Sequence, residues 1–196
     1  RALRHLAQDY LLAANPAAHL DAAHRLYERA DSLTDRLAAL RWITHYEAVE
    51  KREAVLADFY SRWQHEALVV NQWLTVQATR PDVDCADSVR ALMTHPAFDW
   101  RNPNKLRALI GAFAGANPIA FHREDGAGYR LMGEVIERLQ ASNPQIAARM
   151  LAPMTRWRRY AFGQEAMRGE LERLAAIDPL PKDVFEVVTK ALEEPS

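Results

Sequence analysis

His65-Glu66-Ala67-Leu68-Val69 begins as a zinc-protease helix begins. In that motif two His residues four apart share one helix face and bind the metal, while the intervening Glu activates water. Val69 stands where the second His must stand, so the ligand pair is absent and His65 reads as a structural or solvent-facing residue. The other histidines are at 5, 19, 24, 45, 95 and 122. His19 and His24 are separated by roughly 500° of helix rotation and converge poorly on one ion. Cys85 is the single cysteine, and no cation lies nearer to it in sequence than Arg90, five residues on. It reads as a small buried or half-buried residue near a helix start rather than an activated thiolate. Gly126-Ala127-Gly128 looks like half of a dinucleotide fingerprint, but the third glycine would fall at Leu131 and no strand precedes it. These glycines instead suit a tight turn or a close backbone approach before Tyr129.

Arg156-Trp157-Arg158-Arg159-Tyr160 is a basic-aromatic cluster of the kind that grips phosphates and stacks on bases. Without a basic stripe elsewhere it reads as a helix end, where cations complement the negative pole and Trp157 turns inward. Gln145 and Arg149 are i and i+4 on one helix face, and Arg107 interrupts the apolar run Leu106 to Ile110. Taken alone, these three are ordinary solvated or paired residues.

The elements that must carry these residues are helical. Apolar residues recur at spacings of 3 and 4, and no segment alternates with period 2. The spacing predicts helices ending at Asn15-Pro16, over 17–30, 35–46, 49–64, 66–79, 84–94, 102–114, 125–139, 143–160, 163–176 and 181–192, about eleven in all. Ser32 or Thr34 is the expected cap of the third. Asn-Pro recurs at 15, 102, 117 and 143; Asn is a favoured N-cap, and Pro fits the first helical position, where its missing N–H is not needed. Gly111 and Gly115 are four apart, which suggests close helix packing. Many short helices in series predict an all-α fold of stacked antiparallel helix pairs, either a compact bundle or a curved superhelix of the armadillo or HEAT kind. No clean internal repeat accompanies it. Only Glu193 to Ser196 reads as a tail.

The 196 residues suffice for one domain or a two-lobed helical stack with a sizeable core. The formal net charge of −1, from 25 basic and 26 acidic residues, provides no global field for nucleic acid or anionic lipid. One cysteine permits no internal disulfide. No apolar run approaches the roughly 20 residues that span a bilayer. The first residues, Arg1-Ala2-Leu3-Arg4-His5-Leu6-Ala7, lack an initiator Met and a signal-peptide layout, and read as the interior of a longer chain.

Several separated motifs resemble one family in the right order. They are Asn102-Pro103-Asn104 through Gly128-Tyr129, then Asn143-Pro144-Gln145-Ile146-Ala147-Ala148-Arg149, then Arg159-Tyr160. Ala30 to Leu40 is similar to the family's Ala-x-x-Met-Thr-Asp-x-Leu-Ala-Ala-Leu, with Leu33 at the Met position, and Trp63 and Trp73 fall where the family has tryptophans. The chain is identified as similar to the C-terminal helical domain of bacterial aminopeptidase N, an M1 family of zinc metalloaminopeptidases, along nearly its whole length.

The resemblance implies that residues 1–196 form a single C-terminal superhelical domain of a longer enzyme, which closes over the active-site chamber and leaves a peptide channel. It implies that Arg107, Gln145 and Arg149 line that channel on the leaving-peptide side, binding carbonyls or a terminal carboxylate without breaking a bond. The zinc would belong to a catalytic domain outside this chain; this chain would hold no metal, no cofactor and no catalytic residue, and alone would be inactive. The partners implied are the other domains of the same polypeptide and peptide substrates, not nucleic acid or membrane, in the cytoplasm. The rival reading from the residues is a free-standing helical-repeat module binding protein or nucleic acid. An apolar patch around Leu3, Leu6 and Tyr10 is expected where the other domains would dock.

Overall fold

The structure, a computed structural model, describes residues 2–193; positions 194–196 of the expected tail lie outside them. Every regular element among the described residues is helical, and the chain divides into two compact units, Arg1–Arg80 and Pro81–Ser196.

The first unit contains α1 (Ala2–Ala14), α2 (Pro16–Arg29), α3 (Leu33–Tyr46), α4 (Val49–Trp63) and α5 (Ala67–Ala78). The punctuation is as the sequence predicts. Asn15 Oδ1 accepts the Ala18 N–H at 3.3 Å, and Ser32, not Thr34, caps α3 by accepting the Asp35 N–H at 3.2 Å. α3 lies at the centre, packing on α2, α4 and α5, because Ala39, Leu40, Trp42 and Ile43 leave it little solvent-facing surface. Trp73 on α5 is buried with its indole N–H satisfied by the Leu56 carbonyl at 3.0 Å. Leu3, Leu6 and Tyr10 on α1 are exposed, as expected.

The second unit contains α6 (Cys85–Leu92), α7 (Pro103–Leu106), a π-helical turn (Arg107–Gly111), α8 (Ala112–Ala116), α9 (Pro118–Phe121), α10 (Ala127–Gln140), α11 (Pro144–Met150), α12 (Ala152–Thr155), a 3₁₀ turn (Trp157–Arg159), α13 (Gln164–Ala175) and α14 (Lys182–Leu192). Helix α10 forms the hub, burying Tyr129, Leu131, Met132, Val135, Ile136 and Leu139 against α6, α9, α11 and α13. Two glycines permit that position. Gly126 caps α10 with a left-handed φ of 70°, and at Gly128 a Cβ would lie 2.7 Å from the Phe121 Cα, so only glycine lets α9 and α10 approach. Cys85 is fully buried at the start of α6.

Three expectations are corrected. The helix expected over 102–114 contains the π turn and continues to Ala116, with an additional helix started by Asn117-Pro118. The helix expected over 143–160 breaks after Met150, because Pro153 cannot donate an N–H to the Arg149 carbonyl. The Gly111/Gly115 pair is not a close-packing seam: a Cβ at Gly115 meets nothing within 4 Å and one at Gly111 nothing nearer than 3.8 Å.

Candidate functional site

Two Asn-Pro helix starts bring together two of the three polar residues singled out from the sequence. Asn102 Oδ1 accepts the Asn104 N–H at 2.9 Å and begins α7; Asn143 Oδ1 accepts the Ile146 N–H at 3.1 Å and begins α11. Arg107 and Arg149 then line one pocket of about 200 Å³, with Pro103, Ile146 and Met150 as its apolar walls. Arg107 opens the π turn, a distortion frequent at functional sites. Its guanidinium folds back over its own helix start, Nε donating to the Pro103 carbonyl at 3.2 Å and Nη2 to Asn104 Oδ1 at 2.7 Å. Arg149 is exposed in the last turn of α11 and has no hydrogen bond or carboxylate partner among the described residues. Gln145 is exposed one turn before Arg149 but is not part of the pocket lining. The arrangement sets two arginines beside an aliphatic wall. It suits a ligand with a carbonyl or carboxylate and an apolar side chain, and it contains no nucleophile or general base.

Lys105, between these residues on α7, is a group that sequence reasoning missed. It is about nine-tenths buried, and burial alone holds its ammonium below the usual lysine range. Flanked by Asn104 and Leu106, it carries no signal of its burial in the sequence.

A second missed cluster lies at the Gly-rich entry to α10. The Tyr129 hydroxyl and His122 Nδ1 are hydrogen-bonded at 3.0 Å, and the His122 ring lies 4.2 Å from that of Tyr160, centroid to centroid. Burial lowers the His122 pKa and raises that of Tyr129, where Tyr160 adds to the effect. Gly163, with φ of 74°, gives the Tyr129 hydroxyl room. The neighbouring hollow of about 420 Å³ is lined by Glu124, Gln164 and Glu165 with Ala161, Phe162, Gly163 and Ala166. Neither ring lines it.

The basic-aromatic cluster acts structurally. Trp157 is buried and donates to the Ala191 carbonyl at 3.0 Å, while Arg158 donates to the carbonyls of Ala191, Leu192 and Glu193 at 2.6, 3.1 and 2.8 Å. The cation therefore closes the end of α14, a partner far away in sequence. The described residues offer no zinc site: His65 is exposed, Val69 is buried in the second-ligand position, and no group of three His, Cys, Asp or Glu among them could hold a metal.

A helical domain of this architecture has a known class. A family model described as a domain of unknown function of ARM repeats (DUF3458_C) matches residues 1–193. The chain belongs to that ARM-repeat family. It is 44% identical over 194 residues to aminopeptidase N of Haemophilus influenzae, covering 98% of this chain and 22% of that protein. To aminopeptidase N of Escherichia coli it is 41% identical over 167 residues, 85% of this chain and 19% of that one. Among solved structures it is similar to Legionella pneumophila aminopeptidase A in complex with aspartic acid, with a TM-score of 0.89 and 30% identity over 97% of this chain and 22% of that chain. The resemblance to the helical domain of aminopeptidase N is thus borne out. The chain spans about a fifth of the length of these relatives.

Proposed function

We propose that the chain is the C-terminal domain of an M1 zinc aminopeptidase, closing the active-site chamber and lining the peptide channel on the leaving-peptide side. The observation that carries the reading is the shared pocket of Arg107 and Arg149. Both residues line it, and the Arg149 side chain is not consumed by an ion pair among the described residues. Their role is to bind carbonyls or the terminal carboxylate of the peptide, with Gln145 contributing from the same helix. Zinc and bond cleavage reside elsewhere in a longer cytoplasmic polypeptide, so this chain by itself binds no stoichiometric zinc and cleaves no aminoacyl substrate.

The test is Arg149→Ala in the full-length enzyme. A hydrogen bond to a charged group contributes roughly 1.5 to 3 kcal/mol, so kcat/KM for tripeptides and longer substrates should fall roughly ten- to a hundredfold. A short aminoacyl anilide, which does not reach that side, should be turned over almost unchanged. Equal losses on both substrates, with lowered thermal stability, would make Arg149 structural and remove the reading.

A further inference from the structure

Charge nearly cancels over the whole chain, yet it is sorted within the second unit. Residues 100–123 and 138–164 hold nine arginines and lysines and no Asp or Glu. The balancing carboxylates stand outside both stretches, as Glu134 and Glu137 of α10 and Glu165 and Glu172 of α13 do. The fold brings the two acid-free stretches together, because Arg107 of the first and Arg149 of the second line one pocket. Arg101 and Arg123 are paired with Asp99 and Asp125 at the borders, and Lys105 is buried. Arg138 lies 4.0 Å from the Trp100 ring centroid and Arg158 donates to backbone carbonyls, uncharged partners that leave both positive charges standing. Arg107, Arg149, Arg156 and Arg159 are exposed and have no carboxylate partner among the described residues.

Three of these four arginines follow one another along a short path. From Arg149 to Arg156 the chain runs through α11 and α12, where a rise of about 1.5 Å per residue separates the two by about 10 Å. The 3₁₀ turn carries Arg159 about 6 Å further. The Debye length is about 30 Å in 0.01 M salt and about 8 Å at 0.15 M, so in dilute salt the charges sum at the pocket, and in strong salt only the nearest act there. We propose that this arginine cluster selects acidic leaving peptides, substrates that carry Asp or Glu beyond the residue released in addition to their terminal carboxylate. The proposal rests on the reading of the Arg107–Arg149 pocket as part of a peptide channel and adds a substrate class to it. Attraction of this kind raises the rate at which such peptides arrive and does nothing to the bond that is cut. The pocket walls favour a peptide over a nucleic acid. Pro103, Ile146 and Met150 offer aliphatic contacts and no ring on which a base could stack, while Trp157 is buried and the Tyr160 ring lies against His122.

Hydrolysis of matched tetrapeptides by the full-length protein tests this. With Ala-Ala-Glu-Glu and Ala-Ala-Lys-Lys as the pair, kcat/KM in about 0.01 M salt should favour the glutamate peptide by about tenfold or more. The ratio should shrink to about twofold or less in about 0.3 M salt, where screening shortens the reach of the cluster. An Arg156→Gln/Arg159→Gln double variant should lower the dilute-salt ratio about threefold, while turnover of an aminoacyl anilide stays unchanged. Neither side chain bonds to another residue of the described set, so the variant should fold as the parent does. A ratio near one, or one favouring lysine, in an enzyme whose Arg149→Ala variant loses activity on long peptides would overturn the charge selection and leave the channel intact. If Arg149→Ala spares long peptides, the channel reading fails and takes the proposal with it. A ratio indifferent to both salt and the double variant would assign the preference to a direct contact and overturn the role of the cluster. A fluorescein-labelled oligothymidylate that binds more tightly than the glutamate peptide and blocks its hydrolysis would assign the surface to nucleic acid and likewise overturn it.

Discussion

Replacing Gly128 by Ala should destabilise the protein by about 3 kcal/mol, while the same change at Gly169 should stabilise it. At Gly128 the added Cβ would lie 2.7 Å from the Cα and 2.8 Å from the carbonyl carbon of Phe121, and closer still to its oxygen, where ordinary contacts begin at 3.4 Å. These are backbone atoms, so no side chain can swing aside. Helix α9 cannot retreat freely either, because the Phe121 ring is wedged edge-on between Phe113 at 5.8 Å and Tyr129 at 5.4 Å. Overpacking of this kind costs about 1–3 kcal/mol, sometimes more. An immovable obstacle places it at the upper end, and the helix-propensity gain, at most about 1 kcal/mol, is reduced in the first turn of α10. Gly169 lies in the interior of α13, exposed, with nothing within 4 Å of a Cβ; alanine there should gain about 0.5–1 kcal/mol. Urea unfolding followed by circular dichroism reads both. In thermal terms, at about 2–4 °C per kcal/mol for a chain of this size, Gly128→Ala should melt about 6–12 °C lower. If Gly128→Ala unfolds within about 0.5 kcal/mol of the parent while Gly169→Ala gains as expected, the α9–α10 approach is not what glycine serves.

Burial lowers the pKa of His122 and of His95, so the folded state favours neutral imidazole. The associated stability is complete above the ordinary value of 6.5 and is lost as pH falls below it. Calorimetry should therefore show the melting temperature declining from pH 7 to pH 5, and His122→Gln should flatten part of that decline. Asn143→Ala removes the cap of α11 and should reduce stability by about 1 kcal/mol by urea titration. Arg158→Ala removes the donors to three carbonyls at the end of α14; hydrogen exchange should accelerate in α14 while α10 is unaffected.

The sequence carried the helices well where their boundaries are local events. All four Asn-Pro pairs cap helices, because the cap needs only the Asn oxygen and an N–H two or three residues on. It was poorer where a distortion depends on packing. Nothing in Leu106 to Gly111 marks a π turn, since its advantage arises from burying Ala108, Leu109 and Ile110 while Arg107 remains exposed. Pro153 was a readable break that the apolar spacing concealed. Of the candidate site, Arg107 and Arg149 line one pocket and Gln145 lies outside that lining. Lys105 and the His122–Tyr129–Tyr160 cluster were illegible, because burial of a cation and stacking between residues 38 apart arise only from the fold.

The π turn works as a phase shifter. A straight α-helix from Pro103 to Ala116 would have one angular setting, so orienting Phe113 and Ala114 toward the interior would also dictate the bearing of Arg107. The wider turn holds one residue more than an α turn and inserts a rotation of about 100° between the two halves. The front half is thereby free to orient toward Ile146 and Arg149 while the rear half keeps its grip on the core. Removal of a single residue between Arg107 and Gly111 would re-couple the halves and swing the guanidinium away from the pocket, with every pocket residue still present. The bearing of that arginine is thus set by a count of residues as well as by its side chain.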